Sequence, residues 1–322
     1  MCVIGGGAGV KVLVTGGAGF IGSNLCQALG AHPRFDRVMA LDDLSSGSMD
    51  NLRGTGAELV IGSILDRKTV AKLVAEADAV VHLAARPSVA RSIAAPLDSH
   101  EVNATGTLCV LEACRASGAP VIVASSSSVY GAAPADVKDE TVPTVPISPY
   151  GAGKLAAEAY ALAYGAAFGV PALVFRFFNV YGPGQPAGHA YAAVVPAFIA
   201  AALRGEPLRV HGDGGQSRDF TYVGTVVEVI VDTLLRGLVS PAPVNLAYGT
   251  STTVIELAHL VGRLAGRPVE VVHEPARTGD IRHSQGCDRR LRELFPDLTP
   301  VPLATGLRHT LDWFTESGRL AG

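Results

Sequence analysis

Long apolar runs are missing from this sequence: the longest candidates, such as 192–203, are short, and Pro196 interrupts that one. All fall well below the ~18 residues that suggest a membrane span. The hydrophobic share of 48 %, rich in alanine, reads as core. Basic runs are missing too. Lys and Arg number 26 against 29 Asp and Glu, the signs are interspersed and the net charge is −3, so neither nucleic acid nor an anionic membrane is an expected partner. Any phosphate binding must be local. The five cysteines (Cys2, Cys26, Cys109, Cys114, Cys287) include no CxxC pair. That argues against a disulfide framework or a zinc site and predicts buried small hydrophobes. Residues 1–10 carry glycines but no basic region followed by an apolar core and a cleavage site, so no export signal is expected and a cytoplasmic location is. No internal repeat or low-complexity tail is present.

What is there has a rhythm. At 322 residues the chain accommodates about two domains or one enlarged α/β domain. Short β-branched runs at 11–15, 38–41, 59–61, 79–82, 121–124 and 172–175 read as buried strands. Helical patterns at 19–29, 65–75, 98–117 and 149–168 lie between them. This is the βαβ alternation of a doubly wound parallel sheet, an α/β fold of Rossmann type. After about residue 178 the rhythm weakens and prolines punctuate shorter elements, which predicts a smaller substrate-binding lobe. The expected division is a dinucleotide-binding domain over 1–178, with a return around 218–246, and a lobe over 179–322. Helices at 223–235 and 253–264 keep apolar i, i+3, i+4 spacing, with Thr225 expected to cap the first.

The run 11–14 leads into Thr15-Gly16-Gly17-Ala18-Gly19-Phe20-Ile21-Gly22, a GxxGxxG turn that opens a helix pattern. Gly16 permits a tight turn, Gly19 lets backbone approach a pyrophosphate, and Gly22 allows close packing of helix on strand. Twenty residues beyond Gly22 stands Asp42, able to accept both ribose hydroxyls of an adenosine and to repel a 2′-phosphate, which favours NAD over NADP. The run Gly5–Gly9 has no strand before it and reads as a flexible leader.

Ser148-Pro149-Tyr150 has the form of a helix start, with Ser148 as N-cap and Pro149 at the first helical position. Tyr150 and Lys154 then share a face one turn apart. The ammonium, the helix N-terminus and a nearby nicotinamide cation should all pull the phenol below its ordinary pKa of about 10, making Tyr150 a base. Ser125-Ser126-Ser127-Ser128 follows the fifth predicted strand, at the end where such folds place their chemistry. One hydroxyl there can bind a reacting oxygen, while Ser125, Ser127 and Ser128 are expected to cap local backbone.

Thr15 to Gly22, Asp42, His82-Leu83-Ala84-Ala85, the serine run and Tyr150…Lys154 together resemble the extended short-chain dehydrogenase/reductase family, in its NAD-dependent epimerase/dehydratase branch. Arg176-Phe177-Phe178-Asn179-Val180-Tyr181-Gly182-Pro183, the run from Gly212 to Phe220, and Arg277-Thr278-Gly279-Asp280 extend the resemblance over almost the whole chain. The resemblance implies Ser126, Tyr150 and Lys154 as the catalytic triad. It implies cofactor contacts from Gly16, Gly19, Phe20, Ile21, Gly22, Asp42, Ser63, Ile64, Leu83, Ala84, Ala85 and Phe177 besides Tyr150 and Lys154. Ser126, Asn179, Val194, His211, Arg218, Arg277, Asp280 and Ser284 would hold a nucleotide sugar, the arginines at its pyrophosphate and Asp280 at the ribose. No metal is implied, and a homodimer through helices 98–117 and 149–168 is. The implied reaction is 4-epimerisation through a 4-keto sugar. The branch's 4,6-dehydratases carry an Asp-Glu pair directly after the catalytic hydroxyl, where this chain has Ser127 and Ser128. Its uronic-acid epimerases often have threonine at the position of Asn179. Ser284 matches the gatekeeper of the hexose pocket, small enough to admit an N-acetyl group. A dehydratase or reductase of the same branch is the alternative, and a non-catalytic NAD-binding sensor a more distant one, since such sensors usually lose residues that are all kept here.

Overall fold

A computed structural model of the chain describes residues 9–187, 192–276 and 281–317. The chain divides into two compact units whose segments interleave. Of the described residues, the first takes 9–133, then Pro143–Phe177 and Val227–Val244, and the second takes Pro134–Val142, those of 178–226 and those from Asn245 on.

A parallel sheet of seven strands runs in the order Val244–Leu246, Ala172–Phe177, Val121–Ser126, Ala79–His82, Val10–Thr15, Phe35–Asp42, Glu58–Ile61, and all but the first of these lie wholly in the first unit. Runs such as Ala79–His82 are buried at every residue, as strands covered on both faces must be. Leu13, Met39, Val80, Val110, Leu111, Val123 and Val174 form the centre of its core. Each such side chain contributes about 1.5–3 kcal/mol on burial. The winding reverses between Val10–Thr15 and Ala79–His82, and ligands of such sheets bind beyond the carboxyl ends at that point.

Helix boundaries follow side-chain caps. Asp66 accepts the Lys68 and Thr69 N–H groups, so the helix expected at 65–75 runs Arg67–Ala75. Ser148 accepts Gly151 N–H at 3.1 Å and opens Pro149–Phe168. The helix expected at 98–117 is three pieces: Pro96–His100, a wide π turn at Glu101–Gly106, and Thr107–Ser117. A π turn inserts a residue into the helical ladder, and here it turns Asn103 onto the backbone of Arg86.

The second unit is built from short strands. Thr252–Thr253, Ser217–Arg218, His283–Gly286 and Val137–Lys138 form one sheet in that order. Helices Val194–Arg204, Val254–Leu264 and Leu303–Glu316 pack around Tyr181, Phe198, Leu208, Leu257, Leu307 and Phe314. Residues 134–142 group with this unit because Val137–Lys138 pairs with His283–Gly286, although they precede residue 178. The return to the first unit is Val227–Val244, shorter than 218–246, because Thr221–Tyr222 pairs with Val180–Tyr181 of the second. The helix there begins at Val223, so Thr225 lies inside it and does not cap it; its hydroxyl accepts Val301 N–H at 3.3 Å. Thr253, by contrast, caps Val254–Leu264 in a reciprocal box with Glu256. Cys26, Cys109 and Cys114 are buried free thiols and Cys287 is half-buried, while Cys2 lies outside the described residues. Among the described residues no helix is long and apolar enough to cross a membrane, and no cluster of metal-ligating side chains occurs.

Candidate active site

The first unit gathers the ends of its central strands around three constructions. The first is the glycine turn. Gly16 adopts φ +73°, and a Cβ there would lie 2.7 Å from Ala84 N, so only glycine fits. A Cβ on Gly22 would meet the Gly16 carbonyl oxygen at 2.1 Å. Gly19 is the N-cap of Phe20–Ala31 and brings no side chain, leaving the amides of Phe20, Ile21 and Gly22 at an open helix N-terminus, the arrangement that receives phosphate. Asp42 ends its strand and accepts Ala18 N–H at 3.0 Å and Leu44 N–H at 2.8 Å. Burial raises its pKa against the pull of those bonds. The loop after Asp42 had no expected role, yet it props the turn: Ser48 N–H and the Asn51 amide both donate to Ala18 O, at 3.1 and 2.9 Å. Gly47 lies so close that a Cβ would be 2.7 Å from that carbonyl.

The second is the loop after Ala79–His82. Leu83 N–H donates to Thr15 O at 3.0 Å and Ala84 N–H to the Thr15 hydroxyl at 3.3 Å, while Ala85 stays half-buried. Thr107 gives its hydroxyl proton to Asn103 O at 2.7 Å, so it accepts from His82 Nε2–H at 2.9 Å. His82 Nδ1 is then the acceptor for Thr15 at 2.7 Å, which fixes the tautomer. Burial, with the Lys154 charge second, pushes this imidazole down to about 3, so it is neutral. Asn103 holds both backbone groups of Arg86, accepting its N–H at 2.8 Å and donating to its carbonyl at 3.2 Å. Ile64 packs where a Cβ on Gly106 would be 2.4 Å away, and the Ser63 hydroxyl accepts Leu65 N–H at 3.2 Å.

The third is formed by Ser126, Tyr150 and Lys154, the expected triad. The Ser126 side chain hydrogen-bonds Tyr150, and its Oγ accepts Ser128 N–H at 3.2 Å and Ser128 O–H at 2.9 Å. Ser126 is therefore the capping serine of the run, and not Ser127 or Ser128. Ser125 faces away and donates to Glu158 at 2.8 Å. Phe177 is the register partner of Ser126 on the neighbouring strand. Lys154 is buried and donates to Ala124 O at 2.9 Å; burial brings it down to about 8. Tyr150 departs from the sequence reading. Its pKa is raised above the ordinary 10, because burial outweighs the Ser126 hydrogen bond that favours the phenolate.

In the second unit Arg218 and Ser284 are register partners on parallel strands, and one Arg218 guanidinium nitrogen donates to Ser217 O at 2.8 Å. His211 closes Leu208–His211 with Nδ1 3.2 Å from Pro275 O and 3.5 Å from the Glu274 carboxylate. Val194 is the first residue of its helix, and Asn179 is exposed, its carbonyl taking Thr221 N–H at 3.2 Å. Arg277 and Asp280 lie outside the described residues. Asp219, which had no expected role, fixes this region. Its fully buried carboxylate takes Gly249 N–H at 3.0 Å, Gly286 N–H at 3.2 Å, Tyr248 N–H at 3.4 Å and the Thr250 hydroxyl at 2.8 Å. One of these donors, Gly286, ends the strand that carries Ser284.

The sequence profile of the NAD dependent epimerase/dehydratase family matches residues 12–247. The chain belongs to that family. Relatives of known name divide between reactions. A UDP-glucose 4-epimerase of Mycolicibacterium smegmatis is 37 % identical over 95 % of this chain and 98 % of its own length. A dTDP-glucose 4,6-dehydratase of Streptomyces niveus is 34 % identical over 96 % and 94 %. A solved UDP-N-acetylglucosamine 4-epimerase from Methanobrevibacter ruminantium, in complex with UDP-N-acetylmuramic acid, superposes with TM-score 0.90 at 34 % identity, covering 96 % of this chain and 99 % of that one. The protein is thus an NAD-dependent enzyme of the epimerase/dehydratase family. The first unit fits NAD: positions closed to any side chain at Gly16 and Gly22, a helix N-terminus bare of side-chain caps, and the Asp42 carboxylate at the end of the second strand.

Proposed function

We propose that this family member is a nucleotide-sugar 4-epimerase, converting UDP-glucose and UDP-galactose and admitting their N-acetylated counterparts. The observation that carries the reading is the turn after the catalytic hydroxyl. Ser127 and Ser128 stand where the dehydratases have their acid and base, Ser128 is spent on Ser126, and neither serine has a pKa suited to a second proton transfer. Tyr150 takes the proton of the sugar 4-hydroxyl while Ser126 hydrogen-bonds the oxygen. Burial opposes the phenolate, so the base depends on positive charge beside it. Lys154, at about 8, supplies an ammonium at neutral pH one turn along the helix. NAD, held by the glycine turn and Asp42, would supply the hydride acceptor and donor for carbon 4 of the sugar. With the hydride delivered to the opposite face of the 4-keto sugar, Tyr150 gives its proton back, and no reductant is consumed.

Asp42 would hold the adenosine ribose, and Asn179, Val194, His211, Arg218, Arg277, Asp280 and Ser284 the substrate. A homodimer completes the proposal: Leu97 on Pro96–His100, and Tyr160 and Phe168 on Pro149–Phe168, are exposed, and sedimentation of the purified protein measures it. The deciding experiment is incubation with UDP-glucose and UDP-N-acetylglucosamine, without added NAD, followed by proton NMR. Galacto products establish the epimerase with retained cofactor, whereas a 4-keto or unsaturated product establishes a dehydratase. Tyr150→Phe is expected to lower kcat by about 10²–10⁴-fold. Ser284→Tyr should abolish turnover of the acetylated sugar while sparing UDP-glucose; equal turnover of both by that variant would refute the pocket assignment.

A further inference from the structure

Glu158 stands one turn beyond Lys154 on the helix Pro149–Phe168, so Tyr150, Lys154 and Glu158 share a face at i, i+4 and i+8. Its side chain is 4 % exposed and meets Arg176, itself 5 % exposed, through two bonds: Nε to Oε2 at 2.9 Å and a terminal nitrogen to Oε1 at 2.5 Å. The guanidinium also lies over the Tyr130 ring, 4.7 Å from its centre. The pair is tied to the reacting groups by backbone. Lys154 holds Ala124 O, Glu158 holds the Ser125 hydroxyl, and the next residue is Ser126. On the neighbouring strand Arg176 is the register partner of Ser125, and Phe177 that of Ser126. Two successive turns of one helix thus grip two successive residues of the strand that ends in the catalytic serine.

A buried carboxylate beside an active lysine would ordinarily take its proton or its hydrogen bond. Lys154 gives that bond to a carbonyl, and Glu158 is engaged by arginine. We propose that Glu158 and Arg176 are a positioning pair: they fix Lys154 and Ser126 in place and cancel one another, so that the lysine ammonium is the one uncompensated buried charge beside Tyr150. The remaining ionisable groups on the elements packed against this helix do not disturb that balance. His82 is neutral, and Cys109 and Cys114 are buried thiols. Arg91, Asp98, His100 and Glu101 are at the surface, and Glu112 is engaged by Tyr164 and Arg115 at the far end of the helix.

The proposal deepens the reading of Tyr150 as the base, and its test needs no sugar substrate. The ionisation of Tyr150 is followed by phenolate absorbance in the holoenzyme, with Tyr150→Phe subtracted. Glu158→Gln strands a positive charge and should move the titration to lower pH, while Arg176→Met strands a negative one and should move it to higher pH, each by about one pH unit or more. The double variant Glu158→Gln, Arg176→Met is neutral again and should return it to the wild-type value, and Arg176→Lys, which keeps the charge, should stay near it. Shifts in the same direction, or a double variant that remains displaced, overturn the proposal. Should a single variant fail to fold, the double variant decides, because buried pairs are commonly replaceable by neutral residues of similar volume. If the opposed shifts appear but no sugar nucleotide is turned over, the pair stands and the epimerase reading falls.

Discussion

Glu158 in the first unit and Asp219 in the second are both almost inaccessible, at 3 % and 0 % exposed, and they are satisfied by different means. Glu158 has a guanidinium and a hydroxyl. Asp219 pairs with no cation among the described residues and is caged by three backbone N–H groups and a threonine. The first solution holds a helix against a sheet where two regular elements meet face to face. The second suits a region of two-residue strands, where loose backbone donors are plentiful and a carboxylate can order three segments at once. The cage costs more in one respect: burial outweighs its donors and raises the Asp219 pKa.

The contrast can be broken from either side. The largest effect expected is from Arg176→Met, which leaves the Glu158 charge buried and alone and should cost about 3–5 kcal/mol in urea unfolding. The neutral double variant should recover most of it, and a double variant as unstable as the single would mean that shape rather than charge holds the helix. Asp219→Ala orphans backbone donors and should cost about 2–3 kcal/mol, with Tm lowered and Arg218 and Ser284 disordered together. Removing the caps is milder: Ser148→Ala in the first unit and Thr253→Ala in the second should each cost about 1 kcal/mol. The smallest effect concerns pH. A carboxyl raised in the folded state contributes stability that is fully present below its ordinary 3.8 and lost as pH rises through the folded value. The stability gap between wild type and Asp219→Asn should therefore be widest below pH 3.8 and narrow above it, and a gap that widens with pH would mean the donors win over burial.

Much of this was legible in the residues themselves. The parallel sheet announced itself through runs such as Ala79–His82, whose two faces are both covered, and the glycine turn through its place between a strand and a helix. Ser148 and Pro149 marked the start of the helix Pro149–Phe168. The second unit was less readable because strands of two residues, Ser217–Arg218 or Val137–Lys138, are too short to show an alternation. The π turn at Glu101–Gly106 was invisible because helical periodicity averages over one extra residue. The direction of the Tyr150 shift was hidden for a physical reason: spacing reveals a lysine one turn away but not how deeply the phenol is buried, and burial sets that direction. Glu158 and Arg176 left a signal that could have been used. A charge inside Ala172–Phe177, otherwise wholly apolar, needs a partner, and a glutamate four residues after Lys154 points the same way.

The path of the chain has a consequence for its synthesis. The seven-stranded sheet is finished by Val244–Leu246, so a nascent chain that has emerged as far as residue 178 carries six strands and an open side at Ala172–Phe177. A buried, apolar strand left with unpaired amides and carbonyls is a template for the wrong neighbour. Release of the chain at that length should yield aggregates rather than a smaller soluble protein, because that edge is covered only once the last sheet strand arrives.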